Sequence, residues 1–107
     1  MQFLFNSDNQ TPLGADAAER AEAIVASRLD RISDRLTRVE VHVSDVDGPR
    51  NGGDDMRCAI EIRPNGMRPI TATDQAATVE TAIGSAADKV LKAFDRQVGK
   101  TTTRKGH

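Results

Sequence analysis

The chain has 107 residues, enough for one domain with a single core but too few for a separate catalytic domain beside it. Hydrophobic residues make up 37% and charged residues 29%, and no apolar run reaches the ~18 residues of a transmembrane helix, so we expect a soluble protein without a membrane span. The formal net charge of -1 excludes a strong overall positive field, so any binding of nucleic acid must depend on local clustering of the 15 basic residues.

The N-terminal half of the chain predicts a strand, a helix and a second strand. Residues 2–6, QFLFN, place Phe3 and Phe5 on one face, as a short half-buried strand would. From about Asp16 to Leu36, apolar residues recur at three- and four-residue steps, which predicts an amphipathic helix of about five turns. The following segment RVEVHV turns three β-branched residues to one face and predicts a second strand: Val39, Val41 and Val43.

The C-terminal half predicts two more strands and a second helix. RCAIEIR, residues 57–63, alternates inward Cys58, Ile60 and Ile62 with charged residues, and a Pro-Asn-Gly turn connects it to a strand in MRPITAT, residues 67–73. A second apolar stripe predicts a helix from Thr78 to Val98, with Thr78 as the N-cap and Asp74 as the alternative cap. Gly99 should end this helix.

These elements predict an α+β fold with the order β-α-β-β-β-α. Each strand has one apolar face and each helix one apolar stripe, so both helices should pack on one face of a four-stranded sheet whose other face meets solvent. The first two strands should be parallel, because a helix crosses over between them. We expect one domain, residues 1–98, followed by a mobile polar tail, residues 99–107.

The segment DVDGPRNGGDD, residues 45–55, is rich in the aspartates that bind calcium. An EF-hand loop that began at Asp45 would need an oxygen ligand at its fifth position and Gly at its sixth, where this chain has Pro49 and Arg50. The segment also joins two strands and not two helices. We therefore expect a mobile hairpin loop and no metal site.

No group of residues predicts catalysis or a cofactor. Cys58 alternates inward with isoleucines and is most simply a small core residue. His42 lies on the polar face of a strand and His107 in the tail, so no histidine cluster is available for metal binding or acid–base chemistry. We expect a protein that is not an enzyme, has no small-molecule substrate and needs no cofactor. The lack of a signal peptide and the single cysteine indicate the cytoplasm.

Basic residues form a stripe beside the apolar face of each predicted helix. On the first helix the stripe is segregated from acidic residues, and Arg28 and Arg35 have no acidic residue three or four positions away, so the stripe should repel itself slightly. The proposed polyanion-binding residues are Arg20, Arg28, Arg31 and Arg35 on the first helix and Lys89, Lys92, Arg96 and, if the helix extends so far, Lys100 on the second. A merely solvated charged face explains the same pattern.

The element order, the segment HVSDVDGPRNGGDDMRCAIEIRPNGMRPI and the last-helix run AIGSAADKVLKAFDR resemble the ribosome hibernation promoting factor family, which includes ribosome-associated inhibitor A. The resemblance covers nearly the whole chain. It implies a cytoplasmic protein that docks on the small ribosomal subunit, in the channel for messenger and transfer RNA, and inhibits translation by occlusion. It also implies that basic residues of both helices contact ribosomal RNA phosphates.

Long members of this family carry a further C-terminal domain that pairs two ribosomes. The chain resembles the short form, so we expect no pairing by that route and a monomeric free protein. The alternative hypothesis is a protein-binding module of the same fold that acts through an exposed sheet edge, without the ribosome.

Overall fold

A computed structural model describes residues 1–8, 16–45 and 56–105, with side chains described as far as residue 99. The strands are β1 (Gln2–Ser7), β2 (Leu36–Asp45), β3 (Met56–Pro64) and β4 (Ile70–Ala76). The α-helices are α1 (Ala17–Arg28) and α2 (Val79–Lys105), and a 3₁₀ helix, Asp30–Arg35, follows α1. The predicted order and the α+β class are confirmed.

The strands form one sheet in the order β1-β2-β3-β4. β1 and β2 are parallel, with Phe3 opposite Val39 and Phe5 opposite Val41, as the crossover through α1 predicts. The pairs β2–β3 and β3–β4 are antiparallel. Asp45 lies opposite Met56, so residues 46–55, which are outside the described residues, connect two neighbouring antiparallel strands. The expected hairpin loop and the absence of calcium there stay predictions.

Both helices pack on one face of this sheet. The valines of β2 and the inward residues of β3 are fully buried, and they form one cluster with the apolar stripes of α1 and α2. The opposite face carries the polar residues of the alternation, including exposed His42 and Arg57. The core therefore lies between the sheet and the helices, and the basic side chains are exposed on the helical layer. The core members from the helices are Ala21, Val25, Ala82, Ile83, Ala86, Ala87, Val90 and Phe94.

The first helix is shorter than predicted. α1 ends at Arg28 and the chain tightens into the 3₁₀ helix, in which the Ile32 N–H donates to the Leu29 carbonyl at 3.0 Å. A 3₁₀ helix has three residues per turn, so Leu29 and Ile32 point the same way, and both are buried. Leu36 is also buried but belongs to β2. The helical spacing of apolar residues therefore extends beyond α1 into the 3₁₀ helix and β2. The prediction of one helix as far as Leu36 is wrong.

The second helix begins where the sequence predicts but ends later than predicted. Thr78 caps it, because its Oγ1 accepts a hydrogen bond from the Thr81 N–H at 3.1 Å, whereas Asp74 lies within β4. α2 continues past Gly99 to Lys105, so the predicted end at Val98 is wrong. Among the described residues only Gly66 has a positive φ, so Gly99 does not take the left-handed conformation that ends helices. The mobility of residues 99–107 stays a prediction.

The Pro-Asn-Gly turn is confirmed between β3 and β4. Gly66 has φ +77°, a left-handed conformation that glycine adopts without strain, and the Met67 N–H donates to the Pro64 carbonyl at 3.2 Å. The Asn65 N–H donates to the Arg35 carbonyl at 2.8 Å. This bond ties the turn to the end of the 3₁₀ helix.

Candidate functional site

Seven of the eight proposed polyanion-binding side chains lie in the described part of the chain, and all seven are exposed on the helical layer. α1 and the 3₁₀ helix carry Arg20, Arg28, Arg31 and Arg35, and α2 carries Lys89, Lys92 and Arg96. Lys100 belongs to α2, but its side chain is outside the described part. The fold therefore places both basic stripes on the same layer.

Three arginines of the first stripe contact carboxylates of α2. Arg28 Nη1 lies 2.5 Å from Asp88 Oδ2, and Arg31 Nη2 contacts both carboxylate oxygens of Asp95, at 3.1 and 2.8 Å. The third contact joins Arg20 Nε to Glu80 Oε2 at 3.2 Å. We call these contacts the interhelical ion pairs: Arg20–Glu80, Arg28–Asp88 and Arg31–Asp95.

The interhelical ion pairs correct the expectation that the first basic stripe repels itself. Arg28 has no acidic residue within one turn of its own helix, yet it finds Asp88 on the neighbouring helix. The acidic partners are spaced at seven and eight residues along α2, about two helical turns, which places them on one side of the helix. This spacing was a signal in the sequence, but it indicates partners only once α1 is known to lie beside α2.

Gly84 makes room for Arg28 over α2. A Cβ at this position would lie 3.1 Å from Arg28 Nη2 and 3.3 Å from its Cζ, closer than ordinary van der Waals contact. Arg28 Nη1 also lies 3.5 Å from the Gly84 carbonyl oxygen. The missing side chain therefore lets the guanidinium group lie against the helix surface beside Asp88.

Arg20 also forms an ion pair with a residue next to the start of its own helix. It pairs with Asp16 one turn earlier. The hydrogen bond from Arg20 lowers the pKa of the Asp16 carboxyl, and the same bond raises the pKa of Arg20. Both side chains are largely solvated, so this pair contributes little to stability.

The remaining cations have different surroundings. Arg35 lies over the ring of Phe94, with its Cζ 5.1 Å from the ring centroid, and Lys89 Nζ is 3.6 Å from Asp74 Oδ1. Arg96 lines a cleft of about 230 Å³ beside Pro69 and Ile70. Within residues 1–8, 16–45 and 56–99, no carboxylate forms an ion pair with Arg35, Lys92 or Arg96. These three cations can therefore meet an external anion without losing an internal one.

The outer face of the sheet is polar, and its strands carry fewer cations than the helical layer. Arg38 pairs with Glu40 at 3.3 Å and Arg63 with Glu61 at 3.5 Å. Exposed Arg57 lines two clefts, of about 340 and 310 Å³. The charges of this face are mostly paired within single strands, so it is the weaker candidate for a polyanion.

The chemistry of the described residues is that of a binding surface. Burial raises the pKa of the Cys58 thiol to about 12, so the thiol is protonated near neutral pH and a poor nucleophile. The described side chains include no group of three or more His, Cys, Asp or Glu residues that could hold a metal ion. Among the helices of the described chain, none is both long and apolar enough to cross a membrane.

Comparisons with known proteins agree with this fold. The model of the family described as Sigma 54 modulation protein / S30EA ribosomal protein matches residues 11–104. A solved ribosomal subunit interface protein from Coxiella burnetii is similar in structure, with TM-score 0.74 and 9% identity over 92% of this chain and 99% of that chain. The Protein Y N-terminal domain from Thermus thermophilus is similar with TM-score 0.68 and 20% identity over 90% of this chain and 98% of that one. No curated protein matches the sequence.

The family match spans most of the chain and includes both basic stripes up to α2 residue 104. It confirms the resemblance to the hibernation factors that the sequence indicates. The chain belongs to the Sigma 54 modulation protein / S30EA ribosomal protein family, whose members are associated with the ribosome.

Proposed function

We propose that this protein binds the small ribosomal subunit in the channel for messenger and transfer RNA and inhibits translation by occlusion, as a hibernation factor under stress. Family membership supports ribosome binding, and the Coxiella burnetii protein of the same fold is named a ribosomal subunit interface protein. The protein acts in the cytoplasm, where ribosomes are, as a monomer that needs no cofactor. It works by binding and not by catalysis.

One observation carries the assignment of the binding surface. Exposed cations from α1, the 3₁₀ helix and α2 lie on one layer, and three of them, Arg35, Lys92 and Arg96, have no internal carboxylate within the described residues. Arginine and lysine form charge-assisted hydrogen bonds with phosphate oxygens, which position a protein on RNA without reading its sequence. The Phe94 ring beneath Arg35 supports the guanidinium from below.

Basic side chains of both stripes contact ribosomal RNA in this proposal. The unpaired cations make the first contacts, and the arginines of the interhelical ion pairs add further ones where phosphates come close. The full proposed set is Arg20, Arg28, Arg31, Arg35, Lys89, Lys92, Arg96 and Lys100.

The test is co-sedimentation of the purified protein with small subunits, large subunits and free RNA at two salt concentrations. We expect pelleting with small subunits that weakens steeply as salt rises, because each phosphate contact releases counterions. A partner bound through a sheet edge, β1 or β4, would instead respond little to salt. Pelleting that does not depend on salt would favour this alternative.

Charge reversal locates the surface. The double variant Arg35→Glu/Arg96→Glu breaks no internal ion pair, so it should fold normally and lose most of its binding to small subunits. The control Arg57→Glu/Arg63→Glu makes the same charge change on the sheet face, where it also breaks the exposed Arg63–Glu61 pair, and should bind nearly as the parent does. Single alanine changes at Arg35 or Arg96 should each lower the salt slope by about one unit. Loss of binding in the sheet-face pair alone would place the interface on the sheet.

A further inference from the structure

The interhelical ion pairs occupy the guanidinium groups that the proposed function assigns to RNA. Arg28 and Arg31 offer Asp88 and Asp95 the same N–H donors that they would offer a phosphate, since arginine binds both groups through charge-assisted hydrogen bonds. A phosphate that approaches either guanidinium therefore competes with a carboxylate for these donors and is repelled by its charge. Asp88 and Asp95 are internal competitors of the ligand.

The surface as a whole is nearly balanced in charge. Its seven described cations are accompanied by five carboxylates that contact four of them: Asp16, Asp74, Glu80, Asp88 and Asp95. The chain carries a net charge of -1, so it has no overall excess of cations that would offset these carboxylates. A single RNA strand that approaches the surface meets carboxylates within the screening distance of about 10 Å as well as cations.

The ion pairs are weak enough to be exchanged. The side chains of Arg28, Asp88, Arg31 and Asp95 are each about half exposed, at 46%, 50%, 59% and 48%. Solvated ion pairs of this kind favour the paired over the separated side chains by a factor of only about 1.4 to 5. Closely packed phosphates fixed in space can therefore displace the carboxylates, whereas a flexible strand must also lose conformational freedom to do so.

We infer that Asp88 and Asp95 are specificity residues that suppress binding to free RNA and thereby reserve Arg28 and Arg31 for a dense, preformed array of phosphates. This inference rests on the proposed function, since it assumes that the helical layer is the RNA-binding surface. Specificity here comes from competition within the protein, which penalises the wrong ligand more than the right one.

The test compares two variants of equal net charge. Asp88→Asn/Asp95→Asn removes both competing charges and keeps side-chain size and hydrogen-bonding oxygens. Glu19→Gln/Glu22→Gln makes the same charge change on α1 at exposed residues that form no ion pair within the described part of the chain. Binding of a fluorescent single-stranded oligouridylate is followed by anisotropy at two salt concentrations, and pelleting with small subunits is measured in parallel.

We expect the aspartate variant to bind oligouridylate about 2- to 25-fold more tightly than the parent, because two arginines are released from competition. Its salt slope should steepen by up to about 1.4 units, the value for two added contacts with a single strand. The glutamate variant should change binding by less, and small-subunit pelleting should persist in both.

Two results would overturn the inference. Unchanged oligouridylate binding in the aspartate variant would show that the carboxylates do not compete, and equal gains in both variants would show that net charge alone matters. Either result leaves small-subunit pelleting, and so the proposed function, intact, whereas failure of the parent protein to pellet would remove the proposed function itself. Urea unfolding checks that the aspartate variant is folded, and the single variant Asp95→Asn replaces it if its stability falls.

Discussion

Truncation of Phe94 to alanine tests how the helical layer is held on the sheet. Phe94 is the largest fully buried side chain described, at 1% exposure, and it lies between the core and the guanidinium of Arg35. A buried phenylalanine removes at least about 150 Å² from water, worth about 4 kcal/mol at about 25 cal/mol per Å². Measured Phe→Ala costs, which include the cavity, are about 3–5 kcal/mol. Small domains are stable by only about 5–15 kcal/mol, so Phe94→Ala should lose a large part of the total.

The assay is urea unfolding followed by far-ultraviolet circular dichroism, because the chain has no Trp or Tyr to report by fluorescence. With a urea dependence of about 2 kcal/mol per M, a loss of about 4 kcal/mol lowers the midpoint by about 2 M. Phe94→Leu, which keeps most of the volume, should lose less than about 1.5 kcal/mol. A midpoint shift for Phe94→Ala below about 0.5 M would refute the placement of this ring in the core.

The same variants measure the contact between Arg35 and the ring. Arg35→Ala should cost at most about 1 kcal/mol in the parent protein, the usual range for an exposed cation over an aromatic ring. In the Phe94→Leu background this cost should largely disappear, because the ring is absent. A double-mutant cycle over the four proteins gives the coupling, and a coupling of zero would mean that Arg35 is positioned by other contacts.

Further predictions concern the core, the helix surface and the thiol. Val90→Asp places a charge at a fully buried position, so it should cost several kcal/mol and abolish cooperative melting, while normal melting would contradict the assigned inward face of α2. Gly84→Ala should gain up to about 1 kcal/mol in helix propensity only after Arg28→Ala removes the close contact, which thermal melting of the single and double variants can show. The Cys58 thiol should resist iodoacetamide near neutral pH while the protein is folded. Its pKa is raised from 9.0 to about 12 in the folded protein, so the protonated thiol favours the folded state. This contribution to stability is complete below pH 9.0 and should be lost as the pH rises toward about 12. The variant Cys58→Ala should lack this pH dependence in urea titrations.

The candidate site was partly readable from sequence. The positions of the basic side chains followed from helical geometry, and all seven that the structure describes are exposed on the helical layer. The carboxylate partners of these side chains could not be predicted from helical geometry. Arg28 and Asp88 are 60 positions apart, and Arg31 and Asp95 are 64 apart, so no rule of spacing within one helix could join them.

The sequence alone determined the order of strands and helices and the buried face of each, because side-chain alternation in a strand and the apolar stripe of a helix are local properties of the chain. It thereby predicted the inward residues of β2 and β3 and the sheet with two helices on one face. Only the tertiary structure decided where α1 ends and the 3₁₀ helix begins. Leu29, Ile32 and Leu36 are all buried, although they lie at the end of α1, in the 3₁₀ helix and in β2 respectively. The tertiary structure also decided which arginines are free and which are held, because ion pairing between helices depends on how the helices pack, and packing brings together residues that are distant in sequence.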